Sequence, residues 1–295
     1  MAYRFKRKES IAAGFARIAS EQIDDAVTVL EKSPKNGVHE ARKSIKRLRG
    51  LLRLFRRALP DGSYERENAA LRAAAHTISR LRDAQVRIAV FDSIASGIKA
   101  PGVALARRKL LAAFKEVAAS GPGSASPVQA TITALRSVGA RLPGLKPDSG
   151  WSVLRRGLKF TYRRARKAHA DAHAERTTAA IHLWRRRSKD FGYQMELLRK
   201  IDPAAMKRRI RTANEVTDLL GSDHDLAVLD QTLAAAHDLP SELREKLAAR
   251  IARRRKKLQR RAFEDGSELF FEKPAVVVKE LGRQWKRWRR GDEAK

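Results

Sequence analysis

Apolar residues recur at three- and four-residue spacing along nearly the whole chain, which is the signature of amphipathic helices. The pattern predicts a helix over residues 9–30, broken at Ser33-Pro34-Lys35-Asn36-Gly37, and a second over about 38–59 that stops at Pro60-Asp61-Gly62. A third, long helix covers about 63–96, with Leu71, Ile78, Leu81, Ile88 and Phe91 at core spacing. Gly97 and Pro101-Gly102 end it, and a fourth covers about 103–119. Residues 121–127, GPGSASP, read as linker. A shorter helix follows over about 128–142, and 143–150 form the second break. Helical spacing resumes over about 151–175, 178–201, 203–236, 241–263 and 274–289. Period-two alternation is confined to Ala275-Val276-Val277-Val278, so the predicted class is all-α.

The most informative stretch is VHEARKSIKRLRGLLRLF, residues 38–55. At 100° per residue, His39, Arg42, Lys43, Lys46, Arg49, Arg53 and Arg57 share one face. Val38, Ile45, Leu48, Leu51, Leu52 and Phe55 share the other. The cationic face carries no carboxylate from Arg42 to Arg57. Unopposed like charges at i,i+3 and i,i+4 destabilise a helix by a few tenths of a kcal/mol per pair. Such a stripe therefore implies something anionic lying on it.

The stripe occurs twice. An offset of 143 residues carries Gly14 onto Gly157, His39 onto His182, Arg42 onto Arg185, Lys43 onto Arg186, Lys46 onto Lys189 and Pro60 onto Pro203. Arg82-Asp83 matches His224-Asp225 with one residue slipped. Two copies of a helical bundle are the economical reading. The copies are unequal: Arg49 and Arg53 are answered by Gly192 and Glu196, so the second stripe continues through Tyr193 and Lys200 and is interrupted by Glu196. Lys159, Arg163 and Arg166, on the preceding helix of the second copy, are candidates to make up the shortfall.

Composition strengthens this picture. The 295 residues hold 64 Lys and Arg against 33 Asp and Glu, a formal charge of +31, while 43% are hydrophobic as in a globular protein. The charge implies a polyanionic partner: nucleic acid, an anionic membrane or inorganic polyphosphate. Cysteine is absent, excluding disulfides and thiolate metal sites. The basic start is followed by no apolar signal region and no run of 18 apolar residues occurs, so the expected address is the cytoplasm.

The residues VHEARKSIKRLRGLLRLF with LRDAQV, then IHLWRRRSKDFGYQMELL with SDHDLAVL, resemble the CHAD family, named for its histidines and α-helical fold. The match spans residues 9–288, with both halves in the expected order. The resemblance implies a single domain over 9–295, with a first half of about 9–120, a linker and short helix over about 121–148, and a second half of about 149–290. It also implies two four-helix bundles about a pseudo-two-fold axis, their basic helices facing a central groove or pore. The implied ligand is inorganic polyphosphate, often at bacterial polyphosphate granules. The implied binding set is His39, Arg42, Lys43, Lys46, Arg49 and Arg53, with His182, Arg185, Arg186 and Lys189 from the second half.

Arginine suits such a ligand because its planar fork donates two hydrogen bonds to phosphate oxygens, and lysine adds point charge. Neither a glycine-rich phosphate loop nor a cofactor motif is present, so charge matching is expected, without catalysis, metal or cofactor. Nearby arginines should hold His39 and His182 neutral, either on phosphate or on a structural partner. His169 and His173 have i,i+4 metal-ligand spacing but no third ligand, and read as surface histidines. Asp83 and Asp225 read as partners that orient a basic residue of their own bundle, and Trp285 and Trp288 as core. The basic run Arg250 to Arg261 leaves three readings open: an extended anion path, a nucleic-acid contact, or a solvated face. Nucleic acid remains the alternative partner and a phosphate-processing enzyme the more distant one.

Overall fold

The computed structural model describes residues 3–34, 37–119, 126–148 and 150–291, excepting the side chains at 81, 118 and 119. The linker expected over 121–127 lies outside these residues as far as 125, and so does the expected core side chain of Leu81. The described chain is all-α: α1 (Ile11–Lys32), α2 (Val38–Phe55), α3 (Ser63–Thr77), α4 (Ser79–Ala95), α5 (Val103–Ala119), α6 (Pro127–Arg141), α7 (Trp151–Glu175), α8 (Thr178–Leu197), α9 (Pro203–Ala234), α10 (Ser241–Leu269) and α11 (Pro274–Arg290). Local chemistry sets the starts. Ser10, Thr177 and Asp202 accept hydrogen bonds from the amides of Ala13, Ala180 and Ala205 at 3.0, 3.2 and 3.0 Å, satisfying donors that a first turn leaves orphaned. Pro127, Pro203 and Pro274 occupy first turns, where a missing N–H costs nothing. Ala275 to Val278, the one hint of a strand, therefore lie in α11.

The long third helix expected over 63–96 is two helices. Ile78 separates α3 from α4 with φ −88° and ψ −2°. Beside it, Thr77 Oγ1 donates to the Ala73 carbonyl at 3.1 Å and Ser79 Oγ to the Ala75 carbonyl at 2.5 Å. Hydroxyls that bond back to i−4 carbonyls bend helices, and two in succession break this one. Its counterpart α9 runs for 32 residues unbroken.

Among the described residues buried apolar side chains form two clusters, and neither belongs to one half of the chain. The larger joins α1, α2, α3 and α6 to α7, α8 and α11 with the adjacent ends of α9 and α10. The smaller packs α4 and α5 against α9 and α10 through Phe91, Leu110, Leu229 and Leu247. The arrangement is compatible with two related bundles whose cores run into one another. Trp285 and Trp288 are core, as expected: Trp285 meets Phe5 edge-on at 5.9 Å and Trp151 at 5.7 Å. The N-terminal segment also belongs to the core. Phe5 donates its amide to the Leu197 carbonyl at 3.1 Å, and Tyr3 donates its hydroxyl to the Arg47 carbonyl at 2.8 Å.

Helix α2 runs through the middle, in contact with α1, α3, α4, α7 and α8. It crosses α8 at Gly50, where an added Cβ would lie 3.0 Å from the Tyr193 Cβ. It meets α7 at Gly157, where an added Cβ would lie 2.0 Å from the Leu54 carbonyl oxygen; only glycine allows that approach. Two ion pairs flank the Gly50 crossing. Arg47 donates to Glu196 through Nε and Nη2 at 3.1 and 2.9 Å, and Arg53 donates to Asp190. This crossing sets the position of the site.

Candidate anion-binding cleft

On the N-terminal side of the crossing, α2 and α8 open into a cleft of about 710 Å³, closed by α4 and α9. From α2 come His39, Arg42, Lys43 and Lys46; from α8 come Arg185, Lys189, Gly192, Tyr193 and Glu196. The apolar face of α2 buries Ile45, Leu48, Leu51, Leu52 and Phe55, which forces its opposite face into the cleft. Arg42, Lys46, Arg185 and Lys189, drawn from segments 143 residues apart, thereby reach one space.

Their proximity has an electrostatic cost. Burial pushes the Lys46 ammonium down from 10.5 to about 8, helped by Lys189, Arg42 and Arg185, with Asp83 opposing. Burial also lowers Lys189, with Arg185 and Arg42 adding to the effect, and it lowers Arg185. Seven lysines and arginines line the cleft against four carboxylates, Asp83, Glu196, Asp218 and Asp225, so its field is positive. The carboxylates are partly committed. Asp83 accepts from Arg42 Nη1 at 3.1 Å and Glu196 from Arg47. Burial raises the Asp225 carboxyl, against the pull of Arg185. Asp83 thus orients a basic residue of its own half, as expected, and Asp225 faces Arg185. Among the described residues no group of three or more His, Cys, Asp or Glu is placed to hold a metal ion.

The two expected histidines have different surroundings. His39 opens α2 with its side chain 68% exposed, its Nε2 3.9 Å from Glu40. His182 lies against His224, ring centroids 4.3 Å apart, and its Nδ1 is buried without a partner. Burial, then His224, Arg185 and Arg186, push the His182 imidazole down to about 4, so it is neutral. Only His224 of that pair lines the cleft.

Several expected ligands lie elsewhere. Arg49 donates to Asn68 Oδ1 at 3.0 Å and Arg53 to Asp190, so both serve packing between helices. Arg186 is exposed outside the lining. Lys159, Arg163 and Arg166 do not compensate the second stripe. Helix α7 buries Val153, Leu154, Leu158 and Tyr162 against its neighbours, leaving Lys159 and Arg163 on the outer surface, while Arg166 Nε donates to the Phe270 carbonyl at 3.0 Å. Glu196 is likewise no mere interruption, because it holds Arg47. Of the two α7 histidines read as surface residues, His173 is exposed, while His169 is half-buried against Trp184 at 4.9 Å and near Phe263 and Phe270. The cleft also takes in Arg82, Arg87 and His224, which the stripes did not predict. Arg82 and His224 were visible in the repeat as the residues preceding Asp83 and Asp225.

Among the described residues the chain is all-helical, with cationic helices crossed beside an open polar cleft. Residues 16–234 match the sequence profile of the CHAD domain, and the chain belongs to that family. Its fold matches PptA from Streptomyces chartreusis with a TM-score of 0.65 at 15% identity, over 88% of this chain and 100% of that one. It also matches the CHAD domain from the plant Ricinus communis with a TM-score of 0.61 at 17% identity, over 96% and 95% of the two chains. No curated protein matches by sequence. No helix among the described residues is long and apolar enough to cross a membrane.

Proposed function

We propose that this protein binds long-chain inorganic polyphosphate in the α2–α8 cleft, as two related helical halves closing on one polymer, without chemical turnover. The observation that carries the reading is the convergence of Arg42, Lys46, Arg185 and Lys189 in one half-buried space, where burial first and then the neighbouring cations push the Lys46 ammonium down to about 8. A site that stores such repulsion gains most from a ligand bringing many negative charges into a small volume. The CHAD family's association with polyphosphate agrees with this chemistry. The cleft offers no aromatic platform on which bases would stack except Tyr193, whose ring packs at the Gly50 crossing. The setting that follows is the cytoplasm, at polyphosphate granules.

The test is a titration with long-chain polyphosphate, duplex DNA and RNA at matched phosphate and salt. All three respond to salt, so competition at one ionic strength is the discriminating readout. Polyphosphate is expected to displace both nucleic acids at equal phosphate. Comparable affinities for all three would overturn the reading in favour of a general nucleic-acid binder.

A further inference from the structure

The cleft does not end at its own rim. Arg82, Val86 and Asp225 line both the cleft and a groove of about 520 Å³ between α4 and α9. That groove runs to Arg254 of α10, which also borders a third depression of about 440 Å³. The third depression is walled by Arg250, Arg253, Arg254, Lys257 and Arg261 around Leu258, with no carboxylate in its lining. From residue 246 to 263 helix α10 carries no Asp or Glu.

The near end of this face is fixed in place. Arg250 Nη1 donates to the carbonyls of Ile94 and Ser96 at 3.1 and 2.7 Å, and Arg254 Nη1 donates to Ser93 Oγ at 2.9 Å. These bonds tie α10 to the end of α4, the helix that carries Arg82. Beside them and onward along α10, Arg253, Lys257 and Arg261 are exposed, one per turn, covering about 12 Å of helix. Other cations of α10 point to acidic partners: Arg255 to Asp223, Lys246 to Glu242 and Arg260 to Glu264. Lone surface charges have little effect, but a row continuous with a cationic cleft can hold one polymer at successive points.

We infer that α10 is an outer track for the polymer held in the cleft. A polyphosphate chain longer than the cleft leaves it past Arg82, follows the α4–α9 groove and lies along Arg253, Lys257 and Arg261. The inference rests on the polyphosphate reading. The opposite rim is a weaker exit: a groove sharing Asn214 and Asp218 with the cleft holds Lys200, Lys207 and Arg211, but Glu215 stands among them.

The test compares the wild type with two variants that each lose three exposed charges, Arg253→Gln/Lys257→Gln/Arg261→Gln and Lys200→Gln/Lys207→Gln/Arg211→Gln. The ligands are long-chain polyphosphate and tripolyphosphate. Glutamine is a good helix former and every site is exposed, so both variants should fold, with unchanged circular dichroism and melting. The α10 variant is expected to lose about tenfold in long-chain affinity, with tripolyphosphate affinity within about twofold of wild type. The other variant is expected to lose markedly less on the long chain. Equal losses for the two variants, or a loss of DNA binding with polyphosphate unaffected, would overturn the track while leaving the cleft reading intact. Failure of the wild type to bind either phosphate polymer would overturn both.

Discussion

Helices α2 and α8 occupy corresponding places in the chain, and comparing them separates two uses of charge. At the cleft positions they agree in sign: Arg42 answers Arg185 and Lys46 answers Lys189. At the crossing they are opposite. The same 143-residue offset carries Arg47 onto Asp190 and Arg53 onto Glu196. The two ion pairs beside Gly50, Arg47–Glu196 and Arg53–Asp190, are thus images of each other with the signs exchanged. Two identical basic helices crossed here would press arginine against arginine in a half-buried setting. Exchanging the sign on one helix makes the crossing attractive and leaves the cleft cationic. The crossing holds the fold, and the cleft keeps its positive field.

The largest effect should come from breaking the crossing. Asp190 is half-buried and faces Arg53, Arg187, Arg49 and Arg164. Asp190→Ala removes the carboxylate and leaves those guanidinium groups uncompensated, which costs about 3 kcal/mol of unfolding free energy. Urea unfolding should show it as a lower midpoint, with affinity per folded molecule nearly unchanged. Glu196→Arg should follow, with a loss of about 2 kcal/mol, because Arg47 and Arg199 would face a third cation. From the stripes this change should also strengthen binding per folded molecule; the ion pair to Arg47 adds the stability loss.

A smaller effect follows from protonation. Burial, with the neighbouring cations, pushes Lys46 down to about 8, against 10.5 in an unfolded chain. Between those values the unfolded state holds more protons, so stability from this group rises with pH across the window. Binding runs the other way. A polyanion restores the charged form, so complex formation takes up protons, and affinity should fall about tenfold between pH 8 and 9.5. Calorimetry in buffers of different ionisation heat at pH 8.5 should register the uptake. Lys46→Gln should remove most of this dependence. A still finer comparison sets Lys46→Gln against Lys189→Gln. Both ammonium groups are half-buried in the same cleft, and their affinity losses should agree within about threefold, contrary to the unequal shares suggested by the stripes.

The helices, the all-α class and the innermost cations of the cleft were legible because each depends on local spacing. A helix that must bury Ile45, Leu48 and Leu52 has little choice over where Arg42 and Lys46 point. What was not legible depends on which helix lies across the chain. Arg49 and Arg53 share the stripe of Arg42, yet around Gly50 the stripe meets α3 and α8, and its charges find Asn68 and Asp190 there. Arg163 looks as cationic as Arg185, but α7 packs behind α8 and points it away. Tyr3 and Phe5 lie in a short basic segment with no helical period, so nothing local marks them as core. The break at Ile78 needs two hydroxyls acting together, a signal weaker than the apolar period on either side.

The central claim is that location in the cleft, and not positive charge in general, confers binding. Removing two arginines from the cleft can be set against removing two cations from α7. Arg42→Gln/Arg185→Gln and Lys159→Gln/Arg163→Gln lower the net charge equally, and polyphosphate affinity is measured for both at one salt concentration. Charge-assisted hydrogen bonds contribute about 1.5–3 kcal/mol each, so the cleft variant should lose about a hundredfold or more. The α7 variant should stay within about twofold of wild type. Equal losses from the two variants would contradict the account, since the protein would then be binding polyphosphate through its overall charge.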